Sequence, residues 1–260
     1  MLKALLARAR QGHRTTAYPA GDPPSMPERF RGLPALDPAK CPEGCRSCAD
    51  VCPTDAIPRN GPLALDLGRC LFCVECVTAC PEEAIAFTHD ARLATRRRED
   101  LVLEGQPLPL AQALEGKLRR LFGRSLKLRV VSAGDCNACS SDVGVLGTVG
   151  WDVGRFGIQV VASPRHADGL LVTGPVTENM RLALQKTYDA VPPPKIVIAV
   201  GACAISGGPY AGHPEQHGGA SSILPVDLFI PGCPPHPLTV LDGLLRLLGR
   251  LEEQRRMPPA

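Results

Sequence analysis

The sequence predicts an α/β protein in which an open parallel-sheet domain follows a small α+β, cysteine-rich unit. Three observations carry this expectation. Four short apolar, β-branched runs alternate with helical stretches in the C-terminal half, the pattern of parallel strands covered on both faces. Eight of the 12 cysteines fall into two compact groups in the N-terminal half. The 260 residues, 44% hydrophobic and 21% charged, suffice for one medium domain or two small ones with a real core. This composition excludes wholesale disorder. No apolar run approaches the roughly 18 residues of a membrane-spanning helix. A formal net charge of +3 and 4% aromatic content offer nucleic acid neither a field nor stacking platforms, so no nucleic-acid partner is expected.

The elements follow in chain order. Residues 1–10 (MLKALLARAR) place Leu2, Leu5, Leu6 and Ala9 on one helical face, with Lys3, Arg8 and Arg10 largely elsewhere. So short a helix is unstable alone, which leaves a membrane surface, a docking partner or a frayed terminus as readings. The segment 1–35 continues into a proline-rich stretch, 19–38, expected to run extended over a surface. Residues 36–90 hold the cysteine-rich unit. The connector 91–124 opens with Arg96-Arg97-Arg98, read as a solvated basic face, and ends in a helical stripe of Leu114, Leu118, Leu121 and Phe122. The sheet domain spans 125–252. Its strands are expected at 126–132 (LKLRVVS), 169–173 (GLLVT), 195–200 (KIVIAV) and 227–230 (DLFI). An amphipathic helix bearing Leu241, Leu244, Leu245, Leu248 and Leu251 closes the domain, and 257–260 read as a loose tail.

The cysteine spacing carries the chemistry. Cys70, Cys73, Cys76 and Cys80, followed by Pro81, form the bacterial ferredoxin run C-x2-C-x2-C-x3-C-P. Cys41, Cys45, Cys48 and Cys52, followed by Pro53, repeat it with one extra residue in the first interval. Three closely spaced thiolates suit three corners of a four-iron cubane, and the fourth points to the other cluster, so two-cluster ferredoxins cross-ligate. The expected sets are Cys41, Cys45, Cys48 and Cys80 for cluster one, and Cys70, Cys73, Cys76 and Cys52 for cluster two. A disulfide framework requires an oxidising compartment, and no secretory signal is evident. Structural zinc uses pairs with longer spacers. Ala56-Ile57-Pro58 and Ala84-Ile85-Ala86 follow the two runs as an internal repeat, each read as a cysteine loop leading into a short strand. So small a unit draws much of its folding free energy from metal binding.

Cys136, Cys139, Cys203 and Cys233 are dispersed, yet each follows an expected strand. Ligands of open α/β sheets collect beyond the carboxyl ends of the strands. The four cysteines therefore converge at one edge and predict a third cluster, with Gly201 and Gly232 permitting close backbone approach. A single isolated cysteine would instead read as a buried small hydrophobe. No G-x-G-x-x-G follows a strand, so no nicotinamide or flavin site is expected. His166, His213 and His217 read as structural or exposed, with ligand or proton carrier as the alternative.

Several stretches carry a family resemblance: Gly134-Asp-Cys-Asn-Ala-Cys139, the segment 155–177, Val200-Gly-Ala-Cys203 and Pro231-Gly-Cys-Pro-Pro235. They resemble the small subunit of membrane-bound, energy-converting (group 4) nickel–iron hydrogenases, including that of formate hydrogenlyase, homologous to the 20 kDa subunit of complex I. Residues 18–32 and the two ferredoxin runs are similar to the dicluster ferredoxin subunit of the same complexes, so the chain looks like a fusion of the two. The resemblance covers nearly the whole chain. It implies a flavodoxin-like domain with a 4Fe-4S cluster held by Cys136, Cys139, Cys203 and Cys233, hence three clusters in all. The implied function is an electron-wire subunit of an oxidoreductase, peripheral on the cytoplasmic side of the membrane, without an active site of its own. The implied partners are a hydrogenase or complex I-type large subunit, membrane subunits, and a soluble ferredoxin or dehydrogenase as electron partner. The C-x2-C spacing favours the hydrogenase branch, because complex I proteins typically carry adjacent cysteines. The other readings are a complex I-like or nickel-free module that reduces quinone, and a ferredoxin-type carrier whose second domain only docks it. This sequence departs from the hydrogenase pattern at Ala138, Ser140, Ser141 and Glu178. Asp142 stands where the family has glutamate, a candidate proton relay or else an N-cap or surface acid.

Overall fold

The computed structural model describes residues 2–251; Met1 and the tail 252–260, with the loose end expected there, lie outside the described residues. The elements are α1 (Leu2–Gln11), β1 (Pro34–Leu36), α2 (Ser47–Asp50), β2 (Leu65–Asp66), α3 (Glu75–Ala79), β3 (Ile85–Phe87), β4 (Val102–Leu103), α4 (Gly116–Phe122), β5 (Leu126–Ser132), α5 (Ala138–Val145), β6 (Ile158–Val160), β7 (Gly169–Thr173), α6 (Glu178–Ala190), β8 (Ile196–Val200), α7 (Ala202–Ser206), β9 (Leu228–Ile230) and α8 (Pro237–Leu247). Among the described residues no helix is long and apolar enough to cross a membrane.

Five strands form a parallel sheet in the order β6-β5-β7-β8-β9. Renumbered within the domain this is 2-1-3-4-5, the flavodoxin-like doubly wound order, with its switch point between β5 and β7. β7 and β8 are buried along their whole length, as continuous apolar strands under two covered faces must be. Their side chains alternate between two cores: Leu170 and Val172 face one, Leu171 the other. β6 escaped the sequence because it is a three-residue edge strand with Val160 60% exposed, so no apolar run marks it.

The cysteine-rich unit has two small antiparallel pairs, β1 with β3 and β2 with β4. It has no core of its own. Leu65, Leu67, Ile85 and Leu101 pack in one cluster with Leu170, Val172, Val197 and Phe229 of the sheet. The connector sews the units together: Thr95 bridges to Phe229, and the Ser206 hydroxyl donates to the Gly68 carbonyl at 2.9 Å. Arg96–Arg98 are not a solvated face. The Arg98 guanidinium donates to both Asp66 oxygens at 2.8 and 2.6 Å, and Arg96 Nε donates to the Asp227 carbonyl at 2.8 Å. Only Arg97, paired with Glu99, stays exposed in the expected way.

Two other expectations are corrected. No strand forms at 56–58; the Ala56 carbonyl accepts from the Asp66 amide of β2 at 2.8 Å, and β2 is the first strand after the first cysteine run. The closing helix is not amphipathic in its surroundings, because all eleven residues of α8 are buried. Its polar side chains are covered and satisfied: Arg246 Nε donates to Asp242 at 2.7 Å and the Tyr18 hydroxyl donates to Asp242 at 2.6 Å. Tyr18 belongs to the N-terminal segment, which also binds Gly150 through the Thr16 amide and receives Arg155 on the Tyr18 carbonyl. Burial, then the Asp242 charge, pushes the Tyr18 phenol far above its ordinary value.

Candidate metal-cluster sites

All twelve cysteines are free thiols, and they gather into three groups of four. In the first, Cys41 interacts electrostatically with Cys45 and Cys80, and Cys48 with Cys80 and Cys41. In the second, Cys70 and Cys76 interact with Cys52 and Cys73. The fourth cysteine of each run thus lies with the other run's first three. In the third, Cys139 interacts with Cys203, Cys233 and Cys136. Burial pushes the Cys70 and Cys139 thiols up to about 12, and Cys76 and Cys203 to about 11, with the neighbouring thiolates adding to the shift. Among the described residues no three His, Cys, Asp or Glu side chains are set to hold a single metal ion.

The loops explain how these groups form. In the ferredoxin runs, Asp55 and Glu83 are both left-handed, at φ 49° and 50°. Each turns the next amide back onto a sulfur: Ala56 N–H donates to Cys52 Sγ at 3.2 Å and Ala84 N–H to Cys80 Sγ at 3.3 Å. The internal repeat is therefore a repeat of amide-to-sulfur turns rather than of strands. In the C-x2-C turns, Val74 and Asn137 occupy the same place after the first cysteine, again left-handed at φ 66° and 71°. For a β-branched valine this conformation costs about 1–3 kcal/mol and persists only where the surroundings impose it.

At the sheet edge, Cys136 and Cys139 follow β5, Cys203 opens α7 after β8, and Cys233 follows β9. Gly201 has φ +90° and a Cβ there would sit 2.5 Å from Cys139 Sγ; at Gly208 it would sit 2.9 Å from Cys203 Sγ. These cradles leave room for sulfur only. Gly232 serves differently from the expectation, since a Cβ there would strike the Pro235 backbone. Cys136 and Cys233 are exposed, so the third group opens outward. The groups also form a series. Cys76 senses Cys48 of the first group, and Cys233 senses Cys73 of the second across a cavity of about 400 Å³ that both cysteines line.

The family model for the 20 kDa subunit of NADH ubiquinone oxidoreductase matches residues 136–247, the span holding all four dispersed cysteines. A probable membrane-bound hydrogenase subunit, mbhJ, from Pyrococcus furiosus is 41% identical over 145 residues, 55% of this chain and 87% of that protein. The chain belongs to the NADH ubiquinone oxidoreductase 20 kDa subunit family. Formate hydrogenlyase subunit 7 of Escherichia coli is 40% identical over 58% of this chain, and a NADH-quinone oxidoreductase subunit of Clostridium beijerinckii 46% over 42%. The matches span 61% and 65% of those two relatives. This member of the 20 kDa subunit family is thus an oxidoreductase subunit of the group 4 hydrogenase and complex I type.

The remaining polar groups frame the 20 kDa subunit's third cysteine group. Asp142 lies inside α5, whose N-cap is Asn137, so the N-cap reading is excluded. It lines the cavity between Cys73 and Cys233 together with His236. Burial raises the Asp142 carboxyl and lowers His236, while each charge partly offsets the other's shift. His236 went unnoticed in the sequence, although the Pro at the next position is a helix-start signal; its Nδ1 accepts the Leu238 amide at 3.1 Å, capping α8. His217 Nε2 lies 2.5 Å from Glu178, His213 Nδ1 accepts the Glu215 amide, and His166 sits in an exposed turn. Asp135, beside Cys136, is also new. Its carboxylate accepts hydroxyls from Ser132 at 2.5 Å, from Thr173 at 2.8 Å, and from Ser140. Burial alone would raise its pKa, but these hydrogen bonds outweigh burial and hold it below the ordinary carboxylate value.

Proposed function

We propose that the chain is the electron-wire subunit of a membrane-associated hydrogenase or formate hydrogenlyase-type complex, holding three 4Fe-4S clusters. Cys41, Cys45, Cys48 and Cys80 hold the first, Cys70, Cys73, Cys76 and Cys52 the second, and Cys136, Cys139, Cys203 and Cys233 the third. When bound, such clusters supply one-electron carriers whose potentials the protein sets by charge, hydrogen bonding and exposure. The supporting observation is the serial order of the thiol groups, first to second through Cys48 and Cys76, second to third through Cys73 and Cys233. The amides of Ala56 and Ala84 supply hydrogen bonds to sulfur, and Gly201 and Gly208 leave the space. The exposed edge at Cys136 and Cys233 is the face for the large subunit. Asp142, in the adjoining cavity, is the candidate proton relay. A soluble ferredoxin or dehydrogenase would exchange electrons at the first group, and membrane subunits would anchor the complex on the cytoplasmic side.

The 46% identity to a NADH-quinone oxidoreductase subunit favours a second reading, a module that delivers electrons to quinone. Iron, acid-labile sulfide and nickel analysis of the native complex, with electron paramagnetic resonance after reduction, separates the readings. About twelve irons per chain with nickel supports the hydrogenase reading, and about twelve without nickel the quinone-linked one. About eight irons would refute the third cluster. Cys203→Ser is expected to lower the count by about four irons, leaving the two ferredoxin signals intact.

A further inference from the structure

The sheet's switch point lies between β5 and β7, where doubly wound folds bind their ligands. Parallel register sets Ser132 directly opposite Thr173 at the carboxyl ends of these strands. Between them, in the turn that leads to Cys136, stands Asp135. Three hydroxyls from three elements converge on its carboxylate: Ser132 from β5, Thr173 from β7 and Ser140 from α5. The turn packs closely against its neighbours: a Cβ at Gly174 would lie 2.6 Å from the Asp135 nitrogen, and one at Gly134 would collide with Thr177 Cγ2. No lysine or arginine joins the hydroxyls among the hydrogen bonds and ion pairs found for this carboxylate in the described residues. Neutral donors hold the charge in place without cancelling it. That charge stands beside the third group: Asp135 directly precedes Cys136, and its donor Ser140 directly follows Cys139 in α5.

We infer that Asp135 is the residue that tunes the third cluster, a fixed negative charge built into the switch point that keeps its reduction potential low. The inference rests on the cluster reading given above. Reduction adds one electron and one negative charge to the cluster, and a nearby carboxylate that stays ionised throughout disfavours the reduced form. Net charge and hydrogen bonding are the levers by which a protein moves such potentials. Asp135 acts through the cluster's environment and touches no substrate, so it is a positioning residue.

The test is an anaerobic, dithionite-driven redox titration of the native complex, followed by electron paramagnetic resonance, with iron counted in every sample. A wild-type count of about eight irons would overturn the cluster reading itself, and this inference with it. With about twelve irons in the wild type, Asp135→Asn is expected to ease reduction of the third signal about tenfold, an upward shift of about 59 mV for one electron. The two ferredoxin signals stay in place, and Asp135→Glu, which keeps the charge, stays near the wild type. An unmoved third signal in a fully loaded Asp135→Asn complex would overturn the inference, as would equal shifts for Asn and Glu. Should Asp135→Asn fail to load the third cluster, Thr173→Val decides. This nearly isosteric change removes one hydroxyl from the carboxylate and leaves its charge less dispersed, so the third signal should move down. An unmoved or raised potential in that variant would overturn the inference.

Discussion

At Gly201 the absence of a single methyl group makes space for a sulfur atom. Its positive φ and the 2.5 Å approach to Cys139 Sγ mean that Gly201→Ala must displace the thiol or the start of α7. The expected outcome is loss of about four irons per chain with the ferredoxin clusters retained, read by iron and sulfide analysis. Gly144→Ala is the control, since a Cβ there meets nothing within 4 Å. It should retain all the iron and stabilise α5 by up to about 1 kcal/mol. Asp135 and His236 were not singled out from the sequence for a related reason. Each draws its role from partners brought together only by parallel register or by a cavity, as Thr173 is for Asp135 and Asp142 for His236. The cysteines, by contrast, carry their chemistry in their spacing.

Among the elements, β7 was legible to the residue because a strand buried on both faces must be apolar throughout, and β5 because buried Leu126 and Leu128 flank exposed Lys127 in the alternation of a half-buried strand. The edge strand β6 has no such requirement, since of its three residues only Ile158 is buried. The expected strand at 56–58 failed because proline at position 58 offers no amide for pairing, and the chain turns to aim Ala56 N–H at Cys52 instead. α8 read as amphipathic because Asp242 and Arg246 are charged, but they satisfy each other four residues apart on a covered face. α1 is the opposite case. Leu2, Leu5 and Leu6 are 72, 65 and 50% exposed, and residues 2–14 contain basic side chains but no acid. Such a helix is expected to bind anionic lipid. In co-sedimentation the full chain should bind phosphatidylglycerol vesicles and not neutral ones, less so at high salt, and removal of residues 2–11 should abolish binding. Binding that survives the truncation would locate the lipid contact elsewhere.

For the molecule as a whole, the common core of Leu65, Leu67 and Leu101 with Leu170, Val172 and Phe229 matters more than either unit alone. The resemblance to two separate subunits predicts autonomous domains, whereas the packing makes each unit the lid of the other's apolar surface. Division at the exposed turn around Gly105 tests this. Fragments 2–104 and 105–251 should co-purify when produced together, and each should aggregate when produced alone. Two soluble fragments that load iron and ignore each other would contradict the shared core.

The cavity bordered by Cys73 and Cys233 gains meaning from that core. Both cysteines sit on loops rooted in one body, joined by Arg98, Thr95 and Ser206. Carrying both sites in one chain thereby sets a fixed interval between them. On the electron-wire reading, transfer between the second and third sites would then keep one stoichiometry and one spacing in every molecule, independent of subunit concentration.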